Sequence, residues 1–364
     1  MIMSPYKIEE SDQLNLNIFL EKTAAKFPKQ PALAFVGEEY ILYEEFNSKV
    51  KCLGLWMQTH GIQQYDKVAI WSENSPNWLI VYFAIIKIGA VVVPILPDFS
   101  STEVDNILKH SDAKLIFVSN SLYRKLYIDE AIMGKSIVSL QDFTLHINDK
   151  GTTLKEDNLK KFCEDNEARL NDFNPPKVLA EDLASIIYTS GTTGTSKGVM
   201  LSHKNLVANT IQGYNTFPID ENDRFLSILP MSHTLEFTLG NLFPVMCGAS
   251  IHFINKPPTA AVLMPALKKV KPTIMLTVPL IMEKIYKSKI RPELTSSPLK
   301  KRLYNFAPTR RLFHKIAGKR LMATFGGEIK FFGIGGAKLD HYVELFLYEA
   351  KFPYAIGYGL TETA

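Results

Sequence analysis

The sequence predicts an α/β fold, with two doubly wound lobes of mostly parallel sheet flanked by helices in the layer order αβαβα. Three observations predict it. Helical and strand-like segments alternate from about residue 66 to residue 356. The chain has 364 residues, more than the roughly 250–300 residues at which single cores stop growing. Hydrophobic residues make up 46% and charged residues 21%, a globular composition that excludes disordered and collagen-like chains.

The first repeating unit lies between residues 66 and 95. A short apolar strand at Val68–Trp71 precedes a helix that begins near Pro76 and ends at Gly89, and Val91–Val93 then indicate a buried strand. Residues 78–96 are apolar enough to suggest a membrane span. The proline at the start and the glycine stop favour a core helix followed by a strand instead.

The same alternation continues to the end of the chain. A helix is predicted from a cap at Thr102 to about His110, and Lys114–Val118 form the next strand. Residues 141–176 are polar and typical of a surface excursion. Lobes of roughly 66–210 and 211–364 are therefore expected, with residues 1–65 packing on them. Further strands are predicted at 185–188, 225–229, 249–254, 273–277, 329–332 and 354–356, and helices from 204 and near 236–246, 259–269, 297–325 and 339–350.

The three cysteines and the first ten residues indicate the cellular compartment of the protein. Cys52, Cys163 and Cys247 are so widely spaced that they predict neither a disulfide framework nor a CxxC metal site, which fits a reducing cytosol. The first ten residues lack the basic and apolar regions of a signal peptide. We therefore expect a cytoplasmic protein.

The segment from Tyr188 to Gly198 carries the strongest chemical signal. It follows an apolar strand and combines three glycines, six Ser or Thr hydroxyls and Lys197, a composition that favours a polyphosphate site over a flexible linker. A Walker P-loop is excluded, because Ser196 precedes the lysine and Gly198 follows it. The candidate phosphate ligands are Thr189, Ser190, Gly191, Thr192, Thr193, Gly194, Thr195 and Lys197.

This loop resembles the signature of the adenylate-forming superfamily, which contains acyl- and aryl-CoA ligases, peptide-synthetase adenylation domains and luciferases. Ser196 departs from that signature, which usually has proline there. Three further segments resemble superfamily motifs in the expected order: Leu229–Phe237, Gly333–Leu339 and Gly357–Glu362. The resemblance covers nearly the whole chain and implies the N-terminal AMP-binding part of such an enzyme.

The resemblance also implies a division of labour at a nucleotide site between the lobes, with ATP, Mg²⁺ and CoA as cofactors or co-substrates. Lys197 and the hydroxyl loop would hold the β- and γ-phosphates, and Thr189 and Glu362 would supply oxygen ligands to Mg²⁺. Thr361 would lie near the α-phosphate and His233 beside the acyl carboxylate. The adenine contacts would come from Gly335, Gly336, Ala337, Tyr358 and Gly359.

The substrate implied is a long-chain fatty acid. Glu236, Phe237 and the segment 278–286 resemble the long-chain CoA ligase branch, although Leu280 stands where many relatives have arginine. Apolar stretches at 231–243 and 275–282 would line an acyl tunnel or form ordinary core. Transfer to a carrier protein instead of CoA stays open, as does a non-catalytic nucleotide-binding protein. A Ser/His hydrolase is disfavoured because no GxSxG motif occurs.

Residues 291–320 form a basic segment. They contain nine Lys or Arg residues against Glu293 alone, in a chain of net charge +4. One hypothesis is peripheral contact with an anionic membrane, at the inner face; the alternatives are a solvated helical face and contact with CoA phosphates. Nucleic acid is not expected, because no known nucleic-acid-binding module accompanies the charge. The sequence does not predict the oligomeric state.

The sequence ends two residues after Glu362. The resemblance implies further segments in such enzymes, namely an aspartate for the ribose, a hinge and a small C-terminal domain with an assisting lysine. We expect that C-terminal domain to be absent from these 364 residues. The fragment alone should then bind ATP weakly and form little acyl-CoA.

Overall fold

A computed structural model describes residues 14–126, 135–147, 159–166, 169–170, 173–189 and 197–364. Within these residues, the strands form two sheets of seven strands each, with helices packed on them. The strands are β1 (Pro31–Phe35), β2 (Ile41–Leu42), β3 (Lys67–Trp71), β4 (Val91–Ile95), β5 (Leu115–Val118), β6 (Ser136–Ser139), β7 (Leu145–Ile147), β8 (Leu183–Thr189), β9 (Lys197–Ser202), β10 (Arg224–Ser227), β11 (Ser250–Phe253), β12 (Ile274–Thr277), β13 (Phe331–Ile334) and β14 (Tyr354–Ile356).

The helices fill most of the connections between strands. Two of them, α8 and α11, run on into a π-turn, at Thr238–Leu242 and Tyr286–Ile290 respectively, and a 3₁₀ turn covers Thr361–Thr363. The helices are α1 (Asn17–Lys26), α2 (Tyr43–Thr59), α3 (Pro76–Lys87), α4 (Ser101–Ser111), α5 (Asn120–Tyr123), α6 (Leu159–Asp165), α7 (His203–Thr216), α8 (Thr234–Phe237), α9 (Phe243–Cys247), α10 (Ala260–Val270), α11 (Pro279–Ile285), α12 (Arg291–Leu294), α13 (Pro298–Tyr304), α14 (Ala307–Thr324) and α15 (His341–Ala350).

The two sheets have the mostly parallel topology that the sequence predicts, so the fold class is confirmed. The first sheet has the order β7-β6-β5-β3-β4-β8-β9, with antiparallel pairs only at its two edges. The second has the order β14-β13-β12-β10-β11-β1-β2 and is parallel except for the edge pair of β1 and β2. Strands β1 and β2 lie within residues 1–65, so this segment contributes two strands to the second sheet as well as the helices α1 and α2.

The unit β3-α3-β4 forms as the sequence predicts. Ser75 caps α3 by accepting a hydrogen bond from the Trp78 backbone N–H at 3.1 Å, and Pro76 occupies the first turn. Apart from Asn77, every residue of α3 is buried, and its apolar side chains belong to the largest core cluster. Within the described residues, no helix is long and apolar enough to cross a membrane.

Several local predictions need correction. Helix α4 is capped by Ser100, with Glu103 closing a capping box, and not by Thr102. The region predicted as one helical stretch at 297–325 is two helices, α13 and α14. Pro308 has no N–H to donate to the Tyr304 carbonyl and its ring would clash there, so α13 ends at Tyr304 and the chain leaves helical geometry at Phe306. Strand β9 follows the candidate phosphate loop where the sequence analysis expected only the approach to a helix.

The prediction about the cysteines is wrong for one pair. Cys52 on α2 and Cys163 on α6 form a disulfide, with their Cα atoms 5.7 Å apart, while Cys247 is free and buried. The two partners are separated by 111 residues along the chain, and only the tertiary structure brings α6 onto α2. Their sequence spacing therefore carried no sign of the pairing.

Candidate active site

The antiparallel hairpin of β8 and β9 places the ends of the candidate phosphate loop side by side. Thr189 ends β8, Lys197 begins β9, and the two are register partners across the hairpin. Thr189 is half-buried and Lys197 is exposed. The other candidate phosphate ligands, Ser190, Gly191, Thr192, Thr193, Gly194 and Thr195, lie outside the described residues.

Gly198 has a different role from the turn that the sequence suggested. It lies inside β9, where a Cβ atom would be only 2.8 Å from Ile186 Cγ2 and 3.3 Å from the Tyr188 ring. The Tyr188 hydroxyl is in turn hydrogen bonded to His110 Nδ1 at 2.7 Å. The glycine thus lets the two strands pack closely next to the lysine.

A second group of candidates lies at the carboxyl ends of β12, β13 and β14. The Gly335 N–H donates to the Thr277 carbonyl at 3.0 Å, and the Gly357 N–H donates to the Ile334 carbonyl at 2.8 Å, so the two turns lie next to each other. Gly336 has a φ of +86°, a left-handed conformation that favours glycine. Gly336 and Ala337 are exposed, so this turn can meet a ligand.

His233 is held near that turn by the start of α8. It is the N-cap residue, and its Nδ1 accepts a hydrogen bond from the Leu235 N–H at 3.3 Å. A Cβ atom on Gly335 would be 2.9 Å from Leu235 Cδ2, so α8 lies directly against the glycine turn. Partial desolvation lowers the pKa of His233, which favours the neutral imidazole at pH 7.

The segment 357–364 brings the last candidates beside β9. The 3₁₀ turn that contains Thr361 and Glu362 contacts β9, the strand that begins with Lys197. The Ala364 carbonyl accepts hydrogen bonds from Asn209 Nδ2 on α7 and from Thr238 Oγ1 at 3.3 Å. Tyr358 is 94% exposed, and Gly359 and Glu362 are also exposed.

Asn74 joins the carboxyl ends of the two sheets, and the sequence analysis gave it a different role. Its Nδ2 donates to Ser227 Oγ at 2.9 Å and to the Leu229 carbonyl at 2.6 Å, while its Oδ1 accepts from the Met231 N–H at 3.0 Å. The sequence offers both Asn74 and Ser75 as caps of α3, and Ser75 is the cap. The position of Asn74 just after the end of β3 could have indicated a role at the site, because ligand-binding residues of α/β proteins lie at such strand ends.

Glu236 is a buried carboxyl that the sequence analysis used only as a mark of the substrate branch. It is 1% exposed, and burial raises its pKa to about 8, although a hydrogen bond with Ser227 acts in the opposite direction. A Cβ atom on Gly240 would be 2.9 Å from Glu236 Cδ, so the glycine in the π-turn leaves room for the carboxyl group. A protonated side chain therefore lies one helical turn after His233.

The donors proposed for Mg²⁺ suit that ion chemically. Mg²⁺ prefers hard oxygen ligands and usually takes one or two from the protein, keeping water and phosphate oxygens for the rest. Glu362 offers an exposed carboxylate and Thr189 a hydroxyl, on segments that flank β9. Elsewhere in the described part of the chain, no group of three or more His, Cys, Asp or Glu could hold a metal by itself.

The two apolar stretches considered for an acyl tunnel are packed into the core. Met231 and Phe237 belong to the largest cluster, where the Phe237 ring lies 4.2 Å from that of Tyr82. Met275 and Met282 belong to a second cluster under the outer helices. Leu280, by contrast, is 73% exposed at the start of α11.

The carboxyl ends of the two sheets thus meet, with the Lys197 hairpin on the first sheet and the glycine turns on the second. The family model described as "AMP-binding enzyme" matches residues 20–364, and the chain therefore belongs to this family. This membership confirms the family that the four sequence motifs predicted.

The chain is similar to several acyl-CoA synthetases. It is 29% identical over 348 residues to "Long chain acyl-CoA synthetase 7, peroxisomal" of Arabidopsis thaliana, a match that covers 90% of this chain and 49% of the relative. It is 30% identical over 283 residues to "Putative acyl-CoA synthetase YngI" of Bacillus subtilis, covering 71% of this chain and 50% of the relative. The chain thus spans about half the length of these relatives.

Solved structures share the fold. ATP-bound MatB from Rhodopseudomonas palustris superimposes with a TM-score of 0.72 at 21% identity, over 96% of this chain and 60% of that one. The N-terminal subdomain of Klebsiella oxytoca NpsA, in complex with 3-hydroxybenzoyl-AMSN, gives a TM-score of 0.70 at 17% identity, over 98% and 75% of the two chains. At these identities the likeness concerns the fold.

Proposed function

We propose that the chain carries the nucleotide-binding and acyl-binding part of an enzyme that activates a long-chain fatty acid with ATP and then joins it to CoA. In the first step a fatty carboxylate oxygen attacks the α-phosphorus of ATP, the bond to the bridging oxygen breaks, and pyrophosphate leaves with that electron pair. In the second step the CoA thiolate attacks the acyl carbon and AMP leaves, which gives the thioester.

Each candidate residue has a task in the first step. Lys197 would neutralise charge on the leaving pyrophosphate, and Thr361 would donate to an α-phosphate oxygen. Thr189 and Glu362 would hold Mg²⁺, which offsets phosphate charge when bound. The exposed Tyr358 ring would stack on adenine, beside the turn of Gly335, Gly336 and Ala337. A neutral His233 would border the acyl carboxylate without neutralising the nucleophile.

One observation carries this proposal. Four segments far apart in the sequence lie around the meeting carboxyl ends of two sheets, where α/β proteins bind their ligands. Two buried hydroxyls at these ends, Ser232 Oγ beside His233 and Thr277 Oγ1 at the end of β12, have no hydrogen-bond partner within the described residues. Buried hydroxyls without a partner are uncommon in proteins, and these two lie next to the proposed site.

The substrate class rests on the relatives and on the motif around His233. The relatives described above are named as acyl-CoA synthetases, one of them long-chain. Phe237 follows His233 in α8 and packs against Trp78 and Tyr82 of α3, so apolar side chains adjoin the proposed carboxylate position. Transfer of the acyl group to a carrier protein is the second candidate, because the acceptor does not affect the first step.

The phosphate assignment can be tested by binding. We expect Lys197→Ala to weaken binding of ATP and Mg²⁺ by about 1.5–3 kcal/mol, the range for a charge-assisted hydrogen bond, in calorimetric titration. The matched control is Lys204→Ala, since Lys204 is also exposed and its partner Glu181 lies on the protein surface. Equal affinities of the two folded variants would contradict the assignment of Lys197.

The chemistry can be tested on the product. Incubation with ATP, Mg²⁺ and palmitate should yield acyl-adenylate detectable by mass spectrometry, at a low rate if the expectation about the 364-residue chain holds. Addition of CoA or of a phosphopantetheine carrier protein then identifies the acceptor. Nucleotide binding without any acyl-adenylate would favour the non-catalytic alternative.

A further inference from the structure

One surface of the molecule lies outside the proposed site and combines cations with exposed apolar side chains. We define the basic-apolar surface as α13, Phe306 and the outward face of α14. Four of its large apolar side chains are well exposed: Leu299 by 68%, Phe306 by 63%, Leu312 by 55% and Ile316 by 46%. Exposed apolar side chains gathered in this way usually mark an interaction surface.

Helix α13 is unusual because it contains no buried residue. Most helical stability in proteins comes from packing an apolar face against the core, and seven residues are too few for a stable helix in isolation. Leu299 and Leu303 stand four residues apart on α13 and are both exposed. The side of this helix that carries Leu299 and Leu303 is therefore largely open to solvent, although Tyr304 on the same helix packs against the second core cluster.

Helix α14 is fixed with its own apolar and basic side outward. On its inner side, the Arg310 guanidinium donates to both carboxylate oxygens of Glu349 on α15, at 3.1 and 2.8 Å. His314 Nδ1 lies 2.8 Å from the same carboxylate, and a Cβ atom on Gly318 would be 2.6 Å from the Ala350 Cβ. Helical spacing then directs the other side of α14, with Leu312 and Ile316, to solvent.

The charge on this surface is largely uncompensated. Arg310 is paired with Glu349 and Arg320 with Glu293, the single acidic residue between 291 and 320. Among the described residues, Lys301, Lys315 and Lys319 have no carboxylate within ion-pair distance, and all three are exposed. Single apolar side chains among such cations are typical of surfaces that bind lipid. The apolar side chains enter the headgroup region of the bilayer, and the lysine and arginine side chains contact the lipid phosphates.

We propose that the basic-apolar surface docks the protein onto an anionic phospholipid bilayer. The charge complementarity selects an anionic partner, and the several exposed apolar side chains among the cations fit a lipid surface better than a small phosphate compound. The proposed contact is peripheral, because exposed side chains on the surface of the protein make it. If the proposed function is correct, this contact would hold the enzyme at the bilayer, in which its fatty acid substrate dissolves.

The test is vesicle binding by the purified chain, with vesicles of phosphatidylcholine alone and of phosphatidylcholine mixed with phosphatidylglycerol. We expect binding to the anionic vesicles only, weakened by added salt. Neutralising Lys301, Lys315 and Lys319 together by substitution with Gln should lower the partition coefficient about 100-fold. The matched control replaces Lys49, Lys109 and Lys177, which are exposed elsewhere, and should bind like the unchanged chain.

A second variant isolates the apolar contribution. A variant that combines Leu299→Ser, Phe306→Ser and Leu312→Ser should bind anionic vesicles at least tenfold more weakly. The salt dependence of its binding should be unchanged, because the cations are still present. All six substituted positions are exposed, so circular dichroism and thermal unfolding should be unaltered. The proposal is overturned if the unchanged chain does not bind, if it binds both vesicle types equally, or if the lysine variant binds like its control. Loss of a dimer in these variants, without vesicle binding, would assign the surface to a second copy of the chain.

Discussion

Helices α3 and α13 begin in the same way and end up in opposite environments. Each has a serine cap followed by proline: Ser75 accepts from the Trp78 N–H at 3.1 Å, and Ser297 accepts from the Lys300 N–H at 3.2 Å. Yet α3 is buried almost throughout, and α13 has no buried residue. Capping signals decide where a helix starts, whereas the distribution of its apolar residues decides where it lies.

The contrast also bears on how membrane contact is inferred from hydropathy. The most membrane-like stretch of the sequence forms α3 and β4, in the protein interior, where Trp78 and Tyr82 stack on each other and contact Phe237. The surface proposed to meet lipid is basic and has its apolar side chains spread singly. An apolar run indicates burial, and the protein core provides that burial here.

The largest difference between the two helices should appear in stability. Phe83 on α3 is 1% exposed, and Phe83→Ala should lower the free energy of unfolding by about 3–5 kcal/mol, because it leaves a cavity in the core. Phe306→Ala, next to α13, should change it by no more than about 0.5 kcal/mol. Urea denaturation measures both. A comparable loss in the two variants would mean that Phe306 packs against protein.

The disulfide between Cys52 and Cys163 should have the next largest effect. It ties α6 to α2, which packs on α3, and it closes a loop of 111 residues in the unfolded chain. Cys163→Ser should therefore lower the free energy of unfolding by about 4 kcal/mol under oxidising conditions. A reducing agent should lower the stability of the unchanged chain to the same level. No response to the reducing agent would show that the bond does not form in solution.

Glu236, the neighbour in α8 of Phe237, which packs on α3, should make stability depend on pH. Its ordinary pKa of 4.5 is raised to about 8 by burial, so between these values the unfolded chain loses a proton that the folded chain keeps. The free energy of unfolding should then fall as pH rises from about 4.5 to 8, by about 1.4 kcal/mol for each pH unit. Glu236→Gln should flatten this dependence, whereas the exposed control Glu39→Gln should preserve it. Identical pH profiles for the two variants would contradict a buried neutral carboxyl.

The smallest effect compares the two caps. Ser75→Ala should cost about 1 kcal/mol of global stability, since α3 unfolds only with the core. Ser297→Ala removes an equivalent hydrogen bond from a helix without buried residues, so the change should be confined to faster amide hydrogen exchange in α13. A global loss of the same size in Ser297→Ala would show that α13 is coupled to the core.

The features that were predictable from sequence are those encoded by local patterns. The β3-α3-β4 unit follows from apolar runs bounded by proline and glycine, and the density of hydroxyls around Lys197 predicts a phosphate loop there. Strand β9 was missed because its side chains are half-exposed, with Met200 outward, so that it lacks the apolar run of a buried strand. The disulfide and the link through Asn74 were missed because they join segments far apart in the chain. The site residues themselves came from a resemblance to known motifs, since periodicity gives no information about chemistry.

The place of β1 in the second sheet has a consequence for how the chain folds. Leu33 pairs with Ile251, and Tyr43 donates its hydroxyl hydrogen to the Ala249 carbonyl at 2.7 Å across 206 residues. The first sheet, formed from residues 67–202, lies entirely within that interval. A strand made early in synthesis must therefore wait for partners made late, and closing so long a loop is entropically slow. The first sheet can condense while the second is incomplete, and during that time β1 presents an unpaired apolar edge. We therefore expect the pairing of β1 with β11 to be the slowest step of folding. Until it occurs, the unpaired edge of β1 is the part of the chain that a chaperone would shield from aggregation.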